Sequence, residues 1–147
     1  MEQSDRAYAL IEPQLPHFTG DVFEEICKQY LWRLLKEGRF VEFTDLGRWW
    51  GSNPNTKTQV EIDIMGAGDK ETALFCECKW TNEKVNLPVL ETLITRGELF
   101  EFKHKHFYVF VKTGFTTGCI AKAAERGNVT LVGFEDMSSK QVRLSKN

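Results

Sequence analysis

Two segments flanking a glycine-rich turn constrain this chain most. Gln59 to Met65 alternates Val60, Ile62 and Ile64 with Glu61, Asp63 and Met65, and Thr72 to Trp80 forms a second strand-like run. Gly66-Ala67-Gly68-Asp69-Lys70 lies between them, so an antiparallel hairpin is the natural pairing. Strand side chains alternate faces. Glu61 and Asp63 therefore share one face of the first segment. Glu77 and Lys79 share a face of the second, and Cys76, Cys78 and Trp80 pack on the other. Pairing brings Asp63 towards Glu77. Two adjacent carboxylates repel unless a cation or a proton sits between them. A hard divalent ion such as Mg²⁺ takes oxygen ligands of this kind and keeps several waters. Lys79 would face the same place, where an ammonium can orient water or offset charge on a phosphate. The plainer alternative is an exposed hairpin face with an ordinary salt bridge from Lys79 to Asp63 or Glu77.

The rest of the chain supplies helices and further strands. Phe23, Ile26, Cys27, Tyr30, Leu31, Leu34 and Leu35 recur at helical spacing after Asp21, with Gly38 as the stop. Arg39 to Leu46 reads as a strand, followed by Gly47-Arg48-Trp49-Trp50-Gly51 and a loop. Pro88 opens a second helix whose apolar stripe is Leu90, Leu93, Ile94 and Phe100, weakened by Gly97. His106 to Val111 reads as a buried strand. Thr116 or Thr117 caps a third helix running through Arg126 and closed by Gly127, and Val129 to Phe134 is a fifth strand. Residues 1–19, with Pro13 and Pro16, form a lead-in. The order α-β-β-β-α-β-α-β predicts an α/β protein with a central mixed sheet flanked by helices. At 147 residues the chain suits a single domain over 1–147.

Charge and cysteine usage narrow the function classes. The formal net charge of −2 argues against coating nucleic acid by bulk charge. Residues 103–147 nevertheless carry 8 basic and 3 acidic groups; an acidic centre beside a basic tail suits a metal site next to a phosphate-binding surface, but the count alone favours the plainer reading, a chance imbalance on a solvated surface. The apolar runs are far too short for a membrane span, and no signal-peptide pattern opens the chain, so the cytoplasm is the simplest expected location. Cys27, Cys76, Cys78 and Cys119 form no CxxC pair, and no histidine completes a zinc-finger spacing. All four are expected to be reduced thiols, with Cys76 and Cys78 as small core residues, and zinc is not expected.

With Glu24 on the first helix, Asp63 on the second strand and Glu77-Cys78-Lys79 on the third, the chain resembles the PD-(D/E)xK nucleases of restriction endonuclease-like fold, with core order αβββαβ followed here by α and β. More narrowly, it resembles the nuclease-like C-terminal domain DUF234 of archaeal and bacterial AAA-type ATPases. The matching segments are FTGDVFEEIC (18–27), LGRWWG (46–51), VEIDIMG (60–66), LFCECKW (74–80) and HFYVFVKTGFT (106–116). The resemblance implies that Asp63 and Glu77 bind Mg²⁺ or Mn²⁺, with the backbone carbonyl of Cys78 as a further ligand. Glu24 would contribute a ligand directly or through water, with Glu25 as its competitor for that role. Lys79 would position or activate the water for in-line attack on a phosphodiester. DNA is the implied substrate, and an AAA-type ATPase in cis or in trans the implied partner.

Ile62 stands where the motif's name has proline, and no GxxxxGK[ST] phosphate loop occurs. The chain is thus either a standalone domain or a fragment of a larger ATPase. Arg48 and Trp50, and Lys103 and Lys105 in the cationic run Lys103-His104-Lys105-His106, are candidate DNA contacts through stacking and phosphate pairing. The bland alternatives are a tryptophan packed at a core edge and a solvated loop. The competing functions are a non-catalytic DNA-binding or interaction module that keeps the fold, or a surface that docks onto the ATPase.

Overall fold

The computed structural model describes residues 20–38, 43–68 and 71–138. The lead-in and the last nine residues lie outside these, as does half of the expected strand over 39–46. Helix α1 (Gly20–Lys36) is followed by strands β1 (Asp45–Ser52), β2 (Gln59–Ala67) and β3 (Thr72–Lys79), then α2 (Leu87–Gly97), β4 (His104–Val111), α3 (Thr117–Arg126), β5 (Val129–Gly133) and the short α4 (Phe134–Ser138). The five strands form one sheet in sequence order. β1, β2 and β3 pair antiparallel, whereas β3, β4 and β5 pair parallel. This is the expected mixed sheet, with the αβββαβ order followed by α and β, and α4 added. Among the described residues no helix is long and apolar enough to cross a membrane.

The core has two halves because the alternating strands present apolar side chains to both faces. On one face Phe23, Cys27, Tyr30, Leu31 and Leu34 of α1 pack on Leu74, Cys76, Cys78, Tyr108 and Phe110. On the other, Leu90, Leu93 and Ile94 of α2 and Cys119 and Ala123 of α3 pack on Ile62, Phe75, Phe107, Val109 and Val111. β3 and β4 are buried on both faces, as parallel central strands are. Gly38 and Gly127 follow α1 and α3 with φ of +70° and +76°, a left-handed conformation that glycine adopts without penalty. Thr116 caps α3, its hydroxyl accepting a bond from the Cys119 amide.

Two sequence expectations change. The first strand includes Gly47 to Gly51 rather than ending before them. The glycines read as breakers, yet this is the sheet's edge strand, where gaps in packing are tolerated. Gly51 moreover leaves room for the Trp49 ring: a Cβ there would meet that ring at 2.8 Å. The second change concerns β2. Gly47 pairs with Met65 but Trp49 pairs with Ile62, which leaves Asp63 and Ile64 both opposite Arg48. This β-bulge reverses the side-chain alternation. Ile62 and Met65 pack with the α2 side of the sheet, and Ile64 packs with the α1 side. The simple alternation of three apolar residues against Glu61, Asp63 and Met65 therefore fails at Ile64.

Candidate active site

The β2–β3 ladder runs from Ala67↔Ala73 to Ile64↔Cys76 and stops there. Its next position would set Asp63 opposite Glu77. Instead the strands part: β2 keeps its pairing with β1 out to Gln59, and β3 keeps its pairing with β4 out to Lys79. At the fork the Asp63 carboxylate substitutes for the lost ladder, accepting a bond from the Cys78 amide at 2.9 Å. A cleft of about 550 Å³ opens in the fork, lined by Glu24, Gln59, Glu61, Asp63, Glu77, Cys78, Lys79 and Arg96. It sits at the carboxyl end of β3, where open α/β sheets bind ligands.

Glu77 is 8% exposed and is the buried charged residue of the described core. It shares its strand face with Lys79, whose Nζ lies 3.1 Å from Oε2. Arg96, from the last turn of α2, approaches Oε1 at 3.8 Å and donates to the Glu61 carbonyl at 2.9 Å. One guanidinium thus spans the two diverging strands. Burial raises the Glu77 carboxyl above its ordinary range and Asp63 raises it further, against the opposing pull of Lys79 and Arg96. Glu24 is also raised, by burial first and then by Asp63, although Arg48 lowers it. The Arg48 Nη2 donates to Glu24 Oε1 at 2.5 Å.

The structure thus brings together Glu24, Asp63, Glu77, Cys78 and Lys79 around one cleft, with Arg48 adjacent. Trp50 is 60% exposed on β1, paired across from Glu61. Trp49 turns the other way and packs edge-on against Phe100. Lys103 and Lys105 stand apart. Lys105 pairs with Ala73, four residues before Glu77 and about 13 Å away along the strand. The cationic run begins β4 at the opposite end of the sheet, not a loop beside the cleft. Arg96 was not singled out in the sequence. Its only signal is its place three residues after Leu93, at the margin of the apolar stripe.

The donor set fits a hard divalent cation. It offers the carboxylates of Asp63 and Glu77 and the main-chain oxygen of Cys78, all oxygen, in a cleft open to water. Among the described residues no three carboxylate, imidazole or thiol groups are gathered as a ready-made metal cluster. Two carboxylates suit an ion that retains several waters. The thiols do not compete: all four cysteines are free and buried, and burial raises Cys76 and Cys78 well above the ordinary thiol range.

The model of the family DUF234, described as archaea bacterial proteins of unknown function, matches residues 1–89. The chain belongs to the DUF234 family. In structure this DUF234 chain is similar to a protein of unknown function, AF1548, with 22% identity over 76% of this chain and 59% of that one, and a TM-score of 0.47. It is similar to a repair endonuclease from Pyrococcus abyssi, with 10% identity over 76% of this chain and 46% of that one, TM-score 0.46. It is also similar to the DNA modification-dependent restriction endonuclease AspBHI, with 18% identity over 87% of this chain and 31% of that one, TM-score 0.46. The chain spans less than two thirds of the length of each of these three. No curated protein matches it.

Proposed function

We propose that this DUF234 chain is a Mg²⁺- or Mn²⁺-dependent nuclease module that hydrolyses DNA phosphodiester bonds. The observation that carries this reading is the fork between β2 and β3. The cleft of about 550 Å³ that opens there is lined by Asp63, Glu77, Cys78 and Lys79, which supports this reading. Asp63, Glu77 and the Cys78 carbonyl would hold the ion, with Glu24 a further ligand. A divalent ion bound there supplies a more acidic water and charge to set against the phosphate. Lys79 supplies what carboxylates cannot. Its side chain is 43% exposed while its ammonium stays near Glu77, so it can donate to the attacking water or to a phosphate oxygen. Arg96 holds the fork by contacts to both strands. Arg48 and Trp50 offer a guanidinium and an aromatic face to the DNA beside the cleft. Lys103 and Lys105 could reach only a duplex that continues to the far end of the sheet.

Four buried free thiols suit a reducing cytoplasm. The family resemblance pairs such a module with an AAA-type ATPase in cis or in trans, and ATP-dependent stimulation of cleavage by that ATPase would be the sign of it. A second reading, a non-catalytic DNA-binding or interaction module, draws support from the lack of a three-ligand cluster among the described residues. Plasmid nicking with Mg²⁺ or Mn²⁺ separates the two. The nuclease reading expects nicking by wild type and none by Asp63→Asn or Lys79→Met. Metal-independent DNA binding without nicking would favour the module.

A further inference from the structure

Arg48 occupies an unusual position. It stands alone on β1 opposite the two-residue bulge that contains Asp63. Bulges re-aim side chains next to functional sites, and here the bulged strand faces a guanidinium surrounded by carboxylates. Its Nη2 contacts Glu24 at 2.5 Å and Asp21 at 3.6 Å, and its Nη1 lies 3.6 Å from Glu61. A second cleft, about 340 Å³ in volume, is lined by Asp21, Glu24, Glu25, Lys28, Arg48 and Asp63. Glu24 and Asp63 line both clefts, whereas Arg48 lines only this second one. Glu24 is therefore a shared wall, committed to a cation on one side and adjoining the fork on the other. Arg48 and Lys28 share this second cleft with four carboxylates, and Lys28 lies 3.5 Å from Glu25, so a phosphate is met there only by a cation drawn out of its ion pairs.

We propose that Arg48 is a positioning residue that controls the metal centre. In the DNA-free protein it holds Glu24 back, and a DNA phosphate entering the second cleft draws the guanidinium away and frees Glu24 as a further oxygen ligand beside Asp63 and Glu77. The proposal rests on the metal-centre reading above. Because binding free energies are reciprocal, DNA must then tighten metal binding by the factor that metal tightens DNA binding.

The test titrates Mn²⁺ into the full chain and follows the loss of the free-ion electron paramagnetic resonance signal. Arg48→Met should bind Mn²⁺ about tenfold more tightly than wild type without DNA, and Arg48→Lys, which keeps the charge, should resemble wild type. A nuclease-resistant phosphorothioate duplex should tighten Mn²⁺ binding by wild type about tenfold and by Glu24→Gln hardly at all. Unchanged or weaker Mn²⁺ affinity in Arg48→Met, with binding still lost in Asp63→Asn, overturns the role of Arg48 alone. If Arg48→Met does not fold, the duplex effect decides, and its persistence in Glu24→Gln overturns the proposal. Mn²⁺ binding that is indifferent to Asp63→Asn overturns the metal-centre reading and this proposal with it.

Discussion

At Glu77 a carboxylate is buried at the edge of a polar cleft, and its neighbours set the electrostatic balance. Burial and Asp63 raise its proton affinity while Lys79 and Arg96 lower it, and the net direction is upward from an ordinary value of 4.5. The folded state thus holds this proton more tightly than the unfolded chain does. The stability linked to it is fully present below the ordinary value and is lost as pH rises through the raised one. Glu24 acts in the same direction. In metal-free protein, Glu77→Gln should therefore raise the melting temperature near pH 8, with the gain disappearing near pH 4. Thermal denaturation at the two pH values checks this, and a variant that melts lower at pH 8 would show that the ion pairs outweigh burial. Lys79 makes a different prediction, because it is the half-exposed partner. Lys79→Met should lower the rate of cleavage by about 100-fold or more and leave the melting temperature within a few degrees. These residues were legible in the sequence because Glu-x-Lys on a strand fixes a shared face. Arg96 was not, because a single arginine at the margin of a helix stripe looks like any solvated cation until the fork it spans is seen.

Among the elements, the helices were legible from their spacing and caps. The strand ends depended on tertiary contacts. Two glycines hid β1 because glycine in an edge strand and glycine in a turn have the same local signature. The bulge in β2 was hidden for a related reason: the sequence of β2 alternates cleanly, and only its pairing with β1 reveals the extra residue. That bulge places Asp63 within reach of both Glu24 and the Cys78 amide. Gly97 shows the opposite case, a glycine expected to weaken α2 that instead permits close packing. A Cβ at Gly97 would meet the Phe107 ring at 2.7 Å and 2.9 Å. Gly97→Leu should destabilise the protein by about 1–3 kcal/mol, measured by urea denaturation, because the ring is fully buried and has little room to yield. Thr116→Ala, which removes the cap of α3, should cost about 1 kcal/mol.

For the whole molecule, the central sheet holds the two core halves together and gives its two ends different chemistry. Phe110 lies at the centre of the α1 half, fully buried and edge-on to Tyr30. Phe110→Ala should cost about 3–5 kcal/mol and release α1, carrying Glu24 away from Asp63. The carboxyl end of β3 bears Glu77 and Lys79, while Lys105 pairs with Ala73 near the other end of the same strand and Lys103 immediately precedes β4. Replacing both lysines with alanine should change kcat/KM on a short duplex by less than about twofold, and the salt dependence of binding should flatten only on longer DNA. The mixed sheet was legible because a hairpin followed by alternating helices and strands has few solutions. Which end a charged run occupies was not, since that depends on the register of β3 with β4.

The account's central claim is that Asp63 and Glu77 form a divalent metal centre, and calorimetric titration of Mg²⁺ and Mn²⁺ into wild type and Asp63→Asn tests it most directly. The account predicts saturable binding by wild type, abolished in Asp63→Asn with its fold intact. Binding absent from wild type, or undiminished in Asp63→Asn, would contradict it.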